Sequence, residues 1–508
     1  MINSKRIAQN TIILYFRMVF VMLISLYTSR IILAALGIDD YGIYNVVGGV
    51  IVMFTFINDA LGGATSRFLT LELGREDYIK LKQTFSTTLT IHIFIAIIIL
   101  LFAETVGLWL LTQKMVIPPE RMHAAHYVYQ FSIIGTLFSI TQVPYNAAII
   151  AHERMNIYAY VAVIEVILKL LIAFLIKGAS AEIDRLILYS LLMLVVSAII
   201  MIIYRIYCIK HYKECHFSVQ KDKALYKQIL SYTSYDLIGN ISGVAQGQGM
   251  NILLNIFFGP GVNAARGIAY QIQGAVTKFS SSFMTAIRPQ LIKQYALGNT
   301  ENVLNLLYNS SKYSYFLMLI FTIPICIEIE FILKIWLGNF PDHTITFAIL
   351  VLILCLFQSI KGPRVTVFHA TGNIKLLNMT VGTLLCLSLP ISYFFLKKGA
   401  TPESVFIVMI AVFLISEVIS IIILKKYIDY NIKEYVVKVY GNCVLVTLVS
   451  LPIPLLIYYS LSPGFYRFLC VCFSSLVMMC FSVYFIGTDK NTKKKIKSTV
   501  LNVIKKYR

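Results

Sequence analysis

The sequence predicts an all-α polytopic membrane protein of about fourteen transmembrane helices, arranged as two parallel six-helix lobes plus a C-terminal hairpin. Three observations lead there. Of 508 residues, 58% are hydrophobic and only 13% charged, about half the roughly 25% charged share of a soluble globular chain. The apolar residues fall in long blocks, many exceeding the ~20 residues that cross a bilayer as a helix. Basic residues concentrate at alternate ends of those blocks. A soluble enzyme, a disordered chain and a secreted disulfide scaffold are excluded.

The spans follow in order from windows of about 19 residues. They are 12–36, 43–64, 84–111, 124–150, 157–176, 186–207, 230–257, 264–287, 311–336, 344–370, 375–396, 403–424, 439–460 and 465–486. Turn residues separate them: Gly37-Ile38-Asp39-Asp40-Tyr41-Gly42, Pro118-Pro119, Gly259-Pro260-Gly261, Gly338-Asn339-Phe340-Pro341 and Ser462-Pro463-Gly464. The first block, 11–36, is too long for a signal h-region and contains Arg17, so it is read as the first transmembrane helix.

Net charge is +20, and its placement argues against a nucleic-acid partner. Lys5 and Arg6 precede the first span, Arg67, Arg75, Lys80 and Lys82 follow the second, and Lys210, Lys213, Lys221, Lys223 and Lys227 follow the sixth. Lys425, Lys426, Lys433 and Lys438 follow the twelfth, and a run from Lys490 to Arg508 ends the chain. The loops 37–42, 258–263, 337–343 and 461–466 hold no Lys or Arg. Under the positive-inside rule both termini are cytoplasmic. The tail is a topology determinant, or it also touches anionic lipid headgroups.

A weak internal repeat has an offset of about 220 residues, the signature of paired lobes. Leu36-Gly37 then Gly42-Ile43 matches Phe258-Gly259 then Gly267-Ile268; Pro144 near the end of the fourth span matches Pro363 near the end of the tenth. Arg67 with Leu73-Gly74 matches Arg288 with Leu297-Gly298. Six spans separate the copies, so they point the same way, with a cleft between lobes. The expected division is 1–220 and 221–430 for the lobes, 431–488 for the hairpin and 489–508 for a basic cytoplasmic tail.

Catalytic and metal motifs do not appear. The 9 Cys include no CxxC pair, and Cys470-x-Cys472 lies at lipid depth, so the thiols read as packing residues. No HExxH and no Walker loop is present, so no metal, no cofactor and no enzyme activity are expected.

Ionisable residues at lipid depth are informative because each costs about 2.5–3.5 kcal/mol on insertion scales. Arg17, Lys278, Lys361 and Arg364 lie in the cytoplasmic halves of their spans; Arg30 and Arg266 lie toward the far ends. The first four face the cleft, pair with acids, or snorkel, and all six are candidate substrate-binding residues of the cleft. For Arg17 the acids open to pairing are Asp59 and Asp236, and Asp59 could equally bracket a helix end with Arg67. Glu165–Lys169 and Glu330–Lys334, at i,i+4, read as self-neutralising pairs. Asp59, Asp236 and Glu417 are candidate coupling acids. Gly239, Gly243 and Gly247 form a GxxxGxxxG stripe on a span made polar by Asn240, Gln246, Gln248 and Asn251. That stripe reads either as close packing or as a bendable, cleft-lining hinge, with Gln246, Gln271 and Gln273 beside it.

The stretches Tyr27-Thr-Ser-Arg30-Ile-Ile-Leu, Leu36-Gly-Ile-Asp-Asp-Tyr-Gly-Ile-Tyr-Asn-Val-Val-Gly-Gly49 and Ala64-Thr-Ser-Arg67-Phe-Leu-Thr-Leu-Glu-Leu-Gly74 resemble the start of polysaccharide-biosynthesis flippases. These belong to the multidrug/oligosaccharidyl-lipid/polysaccharide (MOP) flippase superfamily, and the likeness is to O-antigen-type members. The wording is similar over the first ~80 residues and the layout over twelve spans. The resemblance implies movement of a polyprenyl-pyrophosphate-linked oligosaccharide, a surface polysaccharide precursor such as that of lipopolysaccharide O-antigen, from the cytoplasmic to the periplasmic leaflet of a bacterial inner membrane. It implies membrane lipids and polysaccharide-assembly proteins as partners, and capture of the pyrophosphate by the cleft cations. Two rivals stand beside it. A cation-coupled multidrug (MATE-like) antiporter needs an unpaired embedded acid. A membrane polysaccharide polymerase or glycosyltransferase needs a long outward catalytic loop, for which this chain has little room.

Overall fold

Helix follows helix along the chain, and breakers set the boundaries. The computed structural model describes residues 4–52, 61–62, 65–66, 68–69, 72–73, 76–152, 154–180, 183–218, 220, 222–371, 375–489 and 493, with no strand among them. The helices are α1 (Ser4–Leu36) and α2 (Ile38–Val52), then α3 (Tyr78–Gln113), α4 (Met122–Ala151), α5 (Met155–Gly178) and α6 (Arg185–His211). The long α7 (Lys223–Phe258) and α8 (Pro260–Ala296) come next, followed by α9 (Thr300–Ile327) and the short α10 (Ile329–Leu337). The chain continues through α11 (Thr344–Thr371), α12 (Lys375–Lys397), α13 (Ser404–Leu424), α14 (Ile432–Ser460) and α15 (Phe465–Gly487). Among the described residues nine helices are long and apolar enough to cross a membrane, or ten if the bent α1–α2 pair counts as one span. The protein is an all-α, multi-pass membrane protein.

Local chemistry explains the breaks. Gly37 and Gly259 have φ of +82° and +80°, a backbone region that L side chains resist, and the chain turns by 117° between α1 and α2. Side-chain caps start several helices: Asp77 accepts from the Lys80 N–H, Asp184 from Leu186 and Ile187, Asp222 from Ala224 and Leu225, and Asn299 from Asn302. The Asn299 cap corrects one expected span. Hydropathy places it at 311–336, but the helix begins at Thr300 and ends at Ile327. A transfer scale registers lipid crossing and misses a polar extension, and the chain breaks at Glu328, whose buried carboxylate is held by Arg467. Where α3 is π-helical over Ala103–Gly107, the Ala103 carbonyl accepts the Leu108 N–H and has a second lone pair to offer. Tyr129 donates its hydroxyl there at 2.6 Å.

Contacts divide the chain into two compact units: residues 1–267, 339–343 and 382–405 form one, and 268–338, 344–381 and 406–508 the other. In the first unit, α4 packs on α6 and α1 on α5, around Phe85, Tyr145, Ile149, Ile200 and Cys208. In the second, α9 packs on α11 and α15. Phe94, Leu101, Phe174, Val418, Leu456 and Phe473 stay exposed. Lipid accepts such a surface, because helices there associate by packing and polar contacts and not by hiding apolar area from water.

Candidate functional site

The densest buried charge lies in the second unit, where α11, α13 and α14 meet. Arg364 on α11 has no exposed surface. Its Nη2 pairs with Oε2 of Glu417 on α13, itself only 3% exposed. Its Nε donates to Ser420 Oγ at 3.0 Å, and Nη1 donates to the hydroxyls of Tyr435 and Tyr440 at 3.3 and 3.4 Å. Tyr440 in turn donates to Glu417 Oε2 at 3.0 Å, while Glu417 Oε1 is buried without a hydrogen-bond partner among the described residues. Lys361, one turn before Arg364, is half-buried, and its ammonium stands 5.8 Å from the centre of the Phe413 ring.

The residues singled out from sequence fall into three groups. Arg364 and Glu417, expected in different roles, form one ion pair. Arg364 is therefore enclosed and committed to protein partners in this conformation, because the acid missing from its own helix arrives from α13. Lys361 joins them by proximity. Arg30 is exposed on α1 and Lys278 half-buried on α8; Arg266, 6% exposed, donates to the Gly247 carbonyl at 2.6 Å. The side chains of Arg17 and Asp236, and Gly239, lie outside the described residues although their helices do not, and Asp59 lies outside them altogether. The expected i,i+4 pairs form, Lys169–Glu165 at 2.6 Å and Lys334–Glu330 at 2.5 Å.

The glycine stripe needs a correction. Among the described residues a Cβ added to Gly243 or Gly247 would meet nothing within 4 Å, so close packing against them does not explain these two. The close approaches are at Gly249, where a Cβ would fall 2.6 Å from Leu389, and at Gly382, 2.6 Å from Ser242 Oγ. Gln246 is buried and donates to Ser388 on α12 at 3.0 Å. Gln273 is half-buried beside Cys355.

Around the α7–α8 turn the first unit holds buried amides. Asn263 donates to both the backbone and side-chain oxygens of Asn251, at 2.7 and 2.8 Å, and Asn251 to the Asn45 carbonyl at 3.4 Å. Asn255 and Val116 exchange two hydrogen bonds. Gly42 lies against the Pro260 backbone and Gly267 against Asn45, so the two turn regions that the internal repeat matches pack against each other. Nearby, Arg121 forks onto Asp40 and Asp184. Burial pushes the Asp184 carboxyl up, but Arg121 and the N–H groups of Ile187 and Leu186 outweigh it and hold it below the ordinary value.

Sequence reasoning missed Tyr435 and Tyr440, Arg121, and the buried pairs Arg467–Glu328 and Lys312–Asp489. Lys312 is 2% exposed and stood in plain view as a cation in an apolar span. The tyrosines gave no signal, because residues five apart sit on different faces of an α-helix.

The family described as "Polysaccharide biosynthesis protein" matches residues 7–294. A search of curated proteins gives no significant match. Among solved structures the chain is similar to a lipid II flippase MurJ in an inward closed conformation: TM-score 0.70, 15% identity, 93% of this chain and 97% of that one covered. It is similar to an inward-facing multidrug resistance MATE transporter of the MOP superfamily, with TM-score 0.64, 12% identity and coverage of 79% and 92%. It is also similar to a MOP superfamily transporter from Pyrococcus furiosus described by the reverse polarity of its binding pocket, with TM-score 0.60, 12% identity and coverage of 84% and 95%. At such identities the likeness shows the fold.

Proposed function

The chain belongs to the polysaccharide biosynthesis protein family, and from that premise we propose that it is a flippase. It carries a polyprenyl-pyrophosphate-linked oligosaccharide, a surface polysaccharide precursor of O-antigen type, from the cytoplasmic to the periplasmic leaflet of the inner membrane. It works by alternating access between six-helix lobes, without hydrolytic or transferase chemistry. The physical task is to take a polar sugar and a pyrophosphate past ~30 Å of hydrocarbon. A polar path open to one leaflet at a time solvates the headgroup while the polyprenyl tail stays in lipid. Cations drawn from Arg17, Arg30, Arg266, Lys278 and Lys361 attract the pyrophosphate, and Gly243, Gly247, Gln246 and Gln273 belong to the same path. An inside-negative potential assists outward movement of an anion by ~2.3 kcal/mol per charge per 100 mV.

One observation favours this reading over a cation-coupled antiporter. Glu417, the candidate coupling acid whose side chain is described, is neutralised by Arg364, whereas Lys361 has no ion pair among the described residues. The test is expression in a strain lacking its own O-antigen-type flippase. Glycan blotting normalised to membrane protein is expected to show restored surface polysaccharide. Resistance to cationic drugs with no glycan restored would put the antiporter ahead.

Orientation gives a second expected result. Lys213 and Thr401 are exposed and flank opposite ends of their helices. Single cysteines placed there in a Cys-free variant are to be treated with an impermeant thiol reagent in intact cells with a permeabilised outer membrane. Thr401→Cys labels and Lys213→Cys does not, because the basic loops are cytoplasmic. The reverse pattern overturns the orientation.

A further inference from the structure

We infer that helix α14, in the appended hairpin, is a working part of the anion site: the hydroxyls of Tyr435 and Tyr440 keep Glu417 on Arg364, and Lys361 is thereby left as the cation that meets the anionic headgroup. The inference rests on the flippase reading and adds the residue that contacts the phosphate and those that position it.

The backbone of α14 carries the first step. Residues five apart on an α-helix stand about 140° apart around the axis, so Tyr435 and Tyr440 would face different neighbours. The helix is π-helical over Val436–Gly441, and a π-turn closes i to i+5, which brings such residues onto one face. Both hydroxyls then reach the same atom, Arg364 Nη1. A π-turn interrupts the regular ladder, and here it delivers two tyrosines to one guanidinium.

The second step is charge. Arg364 spends its donors on Glu417, Ser420, Tyr435 and Tyr440 and has no exposed surface, so it offers no fork to a ligand. Its charge and that of Glu417 cancel. Lys361 remains, half-buried one turn away, with Phe413 as its neighbour and no hydrogen bond or ion pair among the described residues. A cation at lipid depth with no carboxylate in ion-pair contact among the described residues attracts an anion strongly. Its competitor is close by. Phe413 lies one turn before Glu417 on α13, and Glu417 Oε1 has no hydrogen-bond partner among the described residues. Released from Arg364 and Tyr440, that carboxylate would take the Lys361 ammonium and abolish the anion site. An ammonium is also a compact point charge where a guanidinium is a rigid fork, which suits a headgroup that must be let go after crossing.

The experiment uses the full chain, purified in detergent, and undecaprenyl pyrophosphate as the probe, with binding read by native mass spectrometry and export per inserted molecule by glycan blotting. Lys361→Gln and Arg364→Gln each weaken binding at least about tenfold, as expected for loss of a charge-assisted contact. The double variant Arg364→Gln/Glu417→Gln returns to within about threefold of wild type, because Lys361 is again without a competitor. If Arg364 itself held the phosphate, the double variant would stay as weak as Arg364→Gln, and the inference fails. Tyr440→Phe removes one hydroxyl from a helix that still inserts, and it weakens binding severalfold. Unchanged binding in Tyr440→Phe overturns the role of α14. A wild-type chain that binds no probe and restores no glycan overturns the flippase reading itself, independently of the order among variants.

Discussion

Arg467→Ala costs the protein about 3–5 kcal/mol of stability, the range for removing one partner of a buried ion pair. Arg467 on α15 forks onto Glu328 between α9 and α10, with Nε to Oε1 at 2.7 Å and Nη2 to Oε2 at 2.8 Å. Glu328 is 1% exposed and Arg467 7%. The guanidinium also lies 4.2 Å from the centre of the Tyr458 ring, so it ties α14, α15 and the α9–α10 break together. Truncation leaves a carboxylate with neither water nor a cation, and that desolvation cost dominates the loss. Removing both charges tells cost from need. Glu328→Met/Arg467→Met recovers most of the stability, because an apolar pair of similar volume carries no desolvation penalty. Thermal unfolding in detergent, followed by size exclusion, measures both. An Arg467→Ala protein that melts with wild type would show that the pair contributes nothing.

Gly42→Ala is the second large effect, expected to cost about 3 kcal/mol, at the upper end of ordinary overpacking. A Cβ on Gly42 would fall 2.0 Å from the Pro260 carbonyl oxygen and 2.6 Å from its carbon. The obstacle is backbone, pinned by the Pro260 ring and by Gly259 at φ +80°, so no side chain can swing aside. Gly48 on the same helix is the control, since a Cβ there meets nothing within 4 Å among the described residues. Gly48→Ala is neutral or stabilising by up to ~1 kcal/mol through helix propensity. Equal melting temperatures for the two variants would remove the contact from the account of the fold.

These two sites differ in how far the sequence announced them. Gly42 and Pro260 sit in recognisable breakers, and the repeat already pairs Gly42-Ile43 with Gly267-Ile268. Their mutual contact was not legible, because a repeat shows correspondence and not touch. Glu328 and Arg467 are separated by 139 positions, and an ion pair across that distance leaves no periodic trace. Local pairs were legible for the opposite reason. Glu165–Lys169 and Glu330–Lys334 lie one helical turn apart, where spacing alone sets the geometry.

The class of the protein and the course of its helices are legible in local sequence alone. Burial in lipid leaves backbone groups no partner but their own helix, so twenty-residue apolar blocks between breakers must read as spans. The family follows from the same local text, carried in the stretch that opens at Tyr27. Which embedded charges cancel is set by packing between helices. Arg17, Lys361 and Arg364 look alike in sequence, each a cation with no acid one turn away. Glu417 crosses from α13 to neutralise Arg364, and two tyrosines that an α-helix would separate converge on it through a π-turn. Charge compensation is set by distances of a few ångströms between helices, and hydrophobic patterning, which fixes each helix separately, contains no term for it.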